Sequence, residues 1–133
     1  MTLADLQSKI DHMPFQRSQP VRVLACDAAT GAVTLALPWR PEYDNGNGAM
    51  HGGVLCSLID TTAAFGVVAL RGASGPTLNL RVDFLKAALP GEEVTATALV
   101  RRSGRTLAFV DVEARNPAGQ LVALGRANYL AAS

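Results

Sequence analysis

A chain of 133 residues, 49% of them hydrophobic, is long enough to bury a core and too short for two independently folding units of ordinary size. Twelve basic against eleven acidic side chains leave a formal net charge of +1. This balance gives no bulk electrostatic reason for a nucleic-acid or membrane-surface partner, so any anion recognition must be local.

Leu3, Leu6 and Ile10 recur at helical spacing, with Pro14 and Pro20 beyond them, so residues 1–19 read as a lead-in helix (Leu3 to His12) and linker to one domain spanning 1–133. Asp5, Lys9 and Asp11 interrupt the apolar residues and leave no secretory h-region, which makes a cytoplasmic location the expectation. Val21 to Cys26 and Val33 to Leu37 are β-type runs joined across Asp27 to Gly31, a hairpin, and PWRPEYDNGNGAM after them is a long loop. Cys26 and Cys56 have neither the paired spacing of a zinc site nor the number of a disulfide framework, and read as small buried side chains.

From Gly52 to Leu70 every residue is apolar or small except Asp60 and the hydroxyls Ser57, Thr61 and Thr62. A helix this apolar all round is buried, and its carboxylate with it. Its length alone would suit a membrane span of ~20 residues. Asp60 at the would-be midplane, three glycines and closely following strands instead favour a helix wrapped by a sheet.

Thr77 to Leu85 alternates Leu78, Leu80, Val82 and Phe84 against Asn79, Arg81 and Asp83, the pattern of a half-buried strand. Pro90 and Gly91 mark the next turn. Val94 to Arg101 and Thr106 to Ala114 flank Ser103-Gly104, and Pro117 with Gly119 precedes a last strand, Leu121 to Leu130. Turns this short exclude crossover connections and predict antiparallel pairing. The expected class is α+β: a long central helix wrapped by a curved antiparallel β-sheet.

An ionised carboxylate in an apolar interior must be paired, hydrogen-bonded or used, which makes Asp60 the first functional candidate. Gly53, Cys56, Ser57, Ala63 and Ala64 surround it at helical spacing and are small, whereas Leu55, Leu58, Ile59 and Phe65 form the bulky side that suits the sheet. A purely structural tie to Ser57 or Thr61 is the competing reading. Ahead of the helix, the glycine-rich approach from Asn45 to Gly53 lets backbone come close to a ligand, and the free N–H groups of the first turn favour a carbonyl oxygen gaining negative charge. Gly52 and Gly53 equally suit tight helix–sheet packing. Gly53 and Asp60 lie ~10 Å apart along one helix, so one carbonyl touches both only if two antiparallel helices meet across a two-fold axis. Arg102 and Arg105, with Arg101, flank Ser103 and Gly104 at a hairpin, either as a grip for phosphates or as a solvated basic turn.

The pattern N-G-x-G-x-x-H-G-G-x-x-x-x-L-x-D, from Asn45 through His51-Gly52-Gly53 to Leu58 and Asp60, strongly resembles the hotdog-fold acyl-CoA thioesterases of the PaaI type. The downstream stretch RVDFLKAALPGEEVTATALVRRSGRTLAFVDVEARNPAGQLVALGRANYL extends the likeness over most of the chain. The resemblance implies a dimer with a continuous sheet that forms the site, pairing again into a homotetramer. It implies Asp60 as general base or nucleophile, the Gly52 N–H as the group polarising the thioester carbonyl, and Asn45 and His51 as orienting residues. Thr77 falls near the place of a water-positioning hydroxyl, although regular alternation puts it on the Asn79 and Arg81 face unless the strand bulges. The implied substrate is an aryl- or medium-chain acyl-CoA, the aryl group by likeness to the phenylacetate branch, with no metal or organic cofactor. A hotdog hydratase or dehydratase is the alternative, and a non-catalytic acyl-CoA-binding domain a more distant one.

Overall fold

The computed structural model describes residues 1–132. Helix α1 (Leu3–Asp11) opens with a capping box in which the Thr2 hydroxyl accepts from the Asp5 N–H and the Asp5 carboxylate accepts from the Thr2 N–H. It buries Leu6 and Ile10. Strands β1 (Arg22–Asp27) and β2 (Ala32–Leu37) form the hairpin, α2 (Gly52–Arg71) is the long helix, and β3 (Thr77–Phe84), β4 (Val94–Ser103), β5 (Leu107–Arg115) and β6 (Leu121–Leu130) follow. At ~1.5 Å per residue α2 is ~30 Å long. It ends at Gly72, whose φ of 87° is the left-handed C-cap that glycine adopts without strain.

All six strands pair antiparallel in one sheet of order β1-β2-β4-β5-β6-β3. Every strand packs against α2, so the sheet curls around it. Although α2 is apolar and long enough to cross a membrane, Leu55, Leu58, Ile59, Ala63 and Phe65 lie buried against the sheet. Facing them are Leu35, Val94, Ala96, Ala98, Val110, Val112 and Ala127, all fully or almost fully buried. The small inward side chains let the helix sit close. Gly125 on β6 has no room for a Cβ because Ile59 occupies that space.

The short-turn argument fails at one place. β3 does not pair with β4; it closes the far edge against β6, and residues 85–93 carry the chain back across the sheet to β4. The alternation of β3 also breaks, because the register shifts between Thr77 and Asn79, and Leu78 turns outward with 55% exposure. Cys26 and Cys56 are only partly buried: Cys26 pairs with core-facing Val33 and packs against the core from β1, and Cys56 lies on the open side of α2.

The two sheet edges are treated differently. At β1, the Gln7 side chain accepts from the Val23 N–H at 2.6 Å and the Gln16 side chain accepts from the Val21 N–H at 3.1 Å, so α1 and its linker cover that edge. At β3, no element pairs with the outer edge among the described residues.

On the outer face, Asp111 accepts from Arg101 at 2.8 Å and twice from Arg126, at 2.6 and 2.9 Å. The Arg126 hydrogen bond first, then Arg101, lowers the Asp111 pKa from 3.8 to about 2, against the opposing effect of burial. A carboxylate depressed in the folded state stabilises above its unfolded pKa and loses that contribution as pH falls through the folded value. Asp111→Asn should therefore lower the melting temperature at pH 7 and flatten its fall between about pH 4 and pH 2. Parallel pH–melting curves for the native and variant chains would discard this account.

Candidate active site

The start of α2 is built by its own loop. Asp44 accepts from the Gly46 N–H and Asn45 from the Asn47 N–H, both at 2.7 Å, which folds 44–48 into consecutive side-chain-to-backbone turns. The His51 N–H then donates to the Tyr43 carbonyl at 2.7 Å, fixing the entry to the helix. His51 is the N-cap: its Nδ1 accepts from the Gly53 N–H at 2.8 Å. That bond requires the lone pair on Nδ1 and leaves the ring proton of neutral His51 on Nε2.

Gly53 therefore spends its N–H on the cap. The Gly52 N–H makes no hydrogen bond among the described residues and stays available at the positive end of the helix dipole. The packing reading of Gly52 also has a basis, because the Phe84 ring of β3 lies 3.1 Å from where its Cβ would be.

Asp60 lies on the open side of α2 and is partly exposed rather than buried. The expectation of burial fails because the residues beside it are too small to cover it and the chain reaches it on one side, through β3 and β6; Ala63, by contrast, turns into the core. Ser57 does not tie it down, since its hydroxyl donates to the Gly53 carbonyl. The Asp60 Oδ1 instead accepts from Thr77 Oγ1 at 2.9 Å and from Tyr129 Oη at 2.8 Å. Tyr129 Oη also lies 2.7 Å from the Asp60 main-chain carbonyl. The other carboxylate oxygen, Oδ2, has no partner among the described residues.

Thr77 reaches Asp60 only because of the bulge. With Leu78 extruded, Thr77 pairs with Tyr129 on the inward face while Asn79 pairs with Asn128 on the outward one. Tyr129 is 1% exposed, and burial first, then the neighbouring Asp60 carboxylate, hold its hydroxyl far above the ordinary phenol range as a fixed donor.

Asn45, His51 and Gly52 are thus gathered at one end of α2, whereas Asp60 and Thr77 sit near its middle. Gly52 and Asp60 are separated by eight residues, ~12 Å of helix rise. At the far end, Arg71 donates to the Ser103 hydroxyl at 2.8 Å and to the Gly104 carbonyl at 3.3 Å, holding the β4–β5 turn against the helix terminus. Arg102 and Arg105 are exposed and form no ion pair among the described residues, while Arg101 is withdrawn to Asp111 on the sheet. No group of three or more His, Cys, Asp or Glu side chains placed to hold a metal ion occurs among the described residues.

Residues 47–123, from the glycine-rich loop into β6, match the family model described as the thioesterase superfamily. The chain belongs to this superfamily. Human acyl-coenzyme A thioesterase 13 is 33% identical to it over 107 residues, covering 79% of this chain and 76% of the relative. Acyl-coenzyme A thioesterase PaaI of Escherichia coli (strain K12) is 31% identical over 106 residues, covering 80% and 74%. The crystal structure of zebrafish thioesterase superfamily member 2 superposes with a TM-score of 0.86 at 30% identity over 99% of each chain. The long helix in its six-stranded antiparallel sheet is the hotdog fold of these thioesterases.

Tyr129 is the Asp60 partner that the sequence does not single out. Its signal was a phenol at the inward parity of β6, between alanines, since a buried tyrosine hydroxyl needs a polar partner.

Proposed function

We propose that this thioesterase-superfamily member is an acyl-CoA thioesterase, hydrolysing an aryl- or medium-chain acyl-CoA to the free acid and CoA at a site shared across a homodimer. The observation that carries the proposal is a carboxylate with one oxygen pinned by two hydroxyls and the other without a partner among the described residues, on a helix whose Gly52 N–H, also without a partner among them, lies too far away to serve it. In two antiparallel copies, Gly52 of one helix faces Asp60 of the other.

The Gly52 N–H then polarises the thioester carbonyl. Asp60 Oδ2 either attacks that carbon, breaking the C–S bond and leaving an anhydride on Asp60 that water then hydrolyses to the free acid and the regenerated carboxylate, or takes a proton from a water that attacks the carbon directly and breaks the C–S bond; in both routes a water proton ends on the departing thiolate. Asn45 and His51 orient the thioester, Thr77 positions the carboxylate or water, and Gly53 keeps the approach open. The His51 lone pair is occupied by the cap, which supports hydrolysis over a hydratase that needs a free histidine base. Dimerisation is supported by the unpaired β3 edge and by Leu78, Phe84, Leu85 and Leu89, each about half exposed. Pairing of two dimers into a tetramer is carried by the resemblance alone.

Subunit complementation tests the shared site. Asp60→Asn removes the carboxylate; Gly52→Pro removes the N–H at the first helical position, where proline is tolerated and His51 already has the extended backbone that precedes proline. Each variant alone should be inactive. Mixed and allowed to exchange, they should recover about a quarter of native activity, because half the dimers are mixed and each holds one intact site. A mixture as inactive as its parts would reject the shared site.

Arg102 and Arg105, beside Ser103 and Gly104, are assigned to the phosphates of CoA. Replacing both with alanine should raise KM for acyl-CoA about tenfold at low salt and less at high salt, with kcat little changed. A KM that stays at the native value would remove them from the binding site.

A further inference from the structure

We propose that Tyr129 is a positioning residue for hydrolysis, which together with Thr77 locks the Asp60 carboxylate so that Oδ2 alone is presented to the thioester or water. The proposal rests on the reading of Asp60 as the reactive group and goes beyond it.

Three observations converge. Thr77 and Tyr129 are direct cross-strand partners on the inward face of β3 and β6, so their hydroxyls stand side by side. Both reach the same oxygen, at 2.9 and 2.8 Å. The single Tyr129 hydroxyl proton is shared between Oδ1 and the main-chain carbonyl of Asp60, 2.7 Å away, which holds the carboxylate beside its own helix and restricts its rotation. A carboxylate on a partly exposed helix face would otherwise sample several rotamers. Two donors on Oδ1 leave one orientation, and a reactive oxygen held within a few tenths of an ångström is what a near-attack geometry requires.

The phenol ring itself is core, packed with 1% exposure, so a purely structural tyrosine must be told apart from a positioning one. The pH profile does this. A hydrogen bond to the ionised carboxylate favours that form, so its loss moves the acidic limb of kcat/KM to higher pH. The titratable groups beside Asp60 are Tyr129 on β6 and Cys56 one turn earlier on α2. Inward residues of the other packed strands, Leu80 and Val82 on β3, Ala96 and Ala98 on β4, Ala108 and Val110 on β5, carry no charge. In the shared site the second copy adds His51, which is the same in every variant compared.

The test uses the native chain, Tyr129→Phe, and the chain with 3-fluorotyrosine at position 129, all assayed for thiol release from one acyl-CoA between pH 4 and 9, with Asp60→Asn alongside. Tyr129→Phe should lower kcat about ten- to hundredfold with KM nearly constant, and move the acidic limb upward. Fluorotyrosine preserves the shape and makes the phenol a stronger donor, so kcat should stay near native and the limb should move downward. Tyr129→Phe with an unmoved acidic limb, or fluorotyrosine indistinguishable from native, would overturn the proposal; if Tyr129→Phe does not fold, the fluorotyrosine comparison decides alone. Full activity in Asp60→Asn would instead overturn the underlying assignment of the reactive carboxylate.

Discussion

Asp60→Asn is expected to lower kcat by about 10²- to 10⁴-fold while leaving the fold intact. An asparagine at this position keeps the shape and, through its amide oxygen, still accepts from Thr77 and Tyr129, so neither β3 nor β6 loses a partner. What disappears is the anionic oxygen that faces away from the protein. An amide neither takes a proton from water near neutral pH nor attacks a thioester. Thiol release from aryl-, short-, medium- and long-chain acyl-CoAs, measured beside the native chain, reads the loss and the acyl preference together. Turnover at the native rate in a folded variant would transfer the chemistry elsewhere in the molecule.

Gly31→Ala is expected to destabilise the fold by about 2–4 kcal/mol. Gly31 ends the β1–β2 turn with φ of +76°, and a Cβ there would lie 2.7 Å from Val100 Cγ2 and 2.8 Å from the Gly66 carbonyl oxygen. Gly66 on α2 is in the reciprocal position, its own Cβ site 2.9 Å from the Gly31 carbonyl oxygen. Two glycines therefore bring the hairpin turn and the helix into backbone contact, and neither backbone can step aside. Gly119→Ala is the control: its φ of +80° is equally unfavourable, yet nothing lies within 4 Å, so the cost should be only about 1 kcal/mol. Urea midpoints at one protein concentration compare them. Equal losses would mean that backbone strain alone, and not the close approach, governs the turn.

The elements were legible because their signals are local. Apolar runs and turn residues delimit β6 at Leu121 and Leu130, and the helix at Gly52, as the structure has them. Strand order was not, because whether β3 returns beside β4 or crosses to the far edge is decided by which side of α2 it packs on, and no residue between Leu85 and Glu93 encodes that. Asp60 stood out as the lone charge between Gly52 and Leu70. Its two anchors did not, for different reasons: Thr77 has the wrong parity unless Leu78 is extruded, and Tyr129 is 69 residues away. The capping role of His51 was hidden by residue type, since Ser, Thr, Asp and Asn usually fill that position.

The contrast between the two sheet edges limits how copies of this chain associate. Gln7 and Gln16 occupy outward N–H groups at β1, whereas among the described residues no strand pairs with the outer edge of β3. Two copies joined at their β3 borders would have only their β1 borders left, where an added strand would first have to displace Gln7 and Gln16 from the Val23 and Val21 N–H groups. Open-ended, fibre-like growth is thereby hindered by two glutamine side chains.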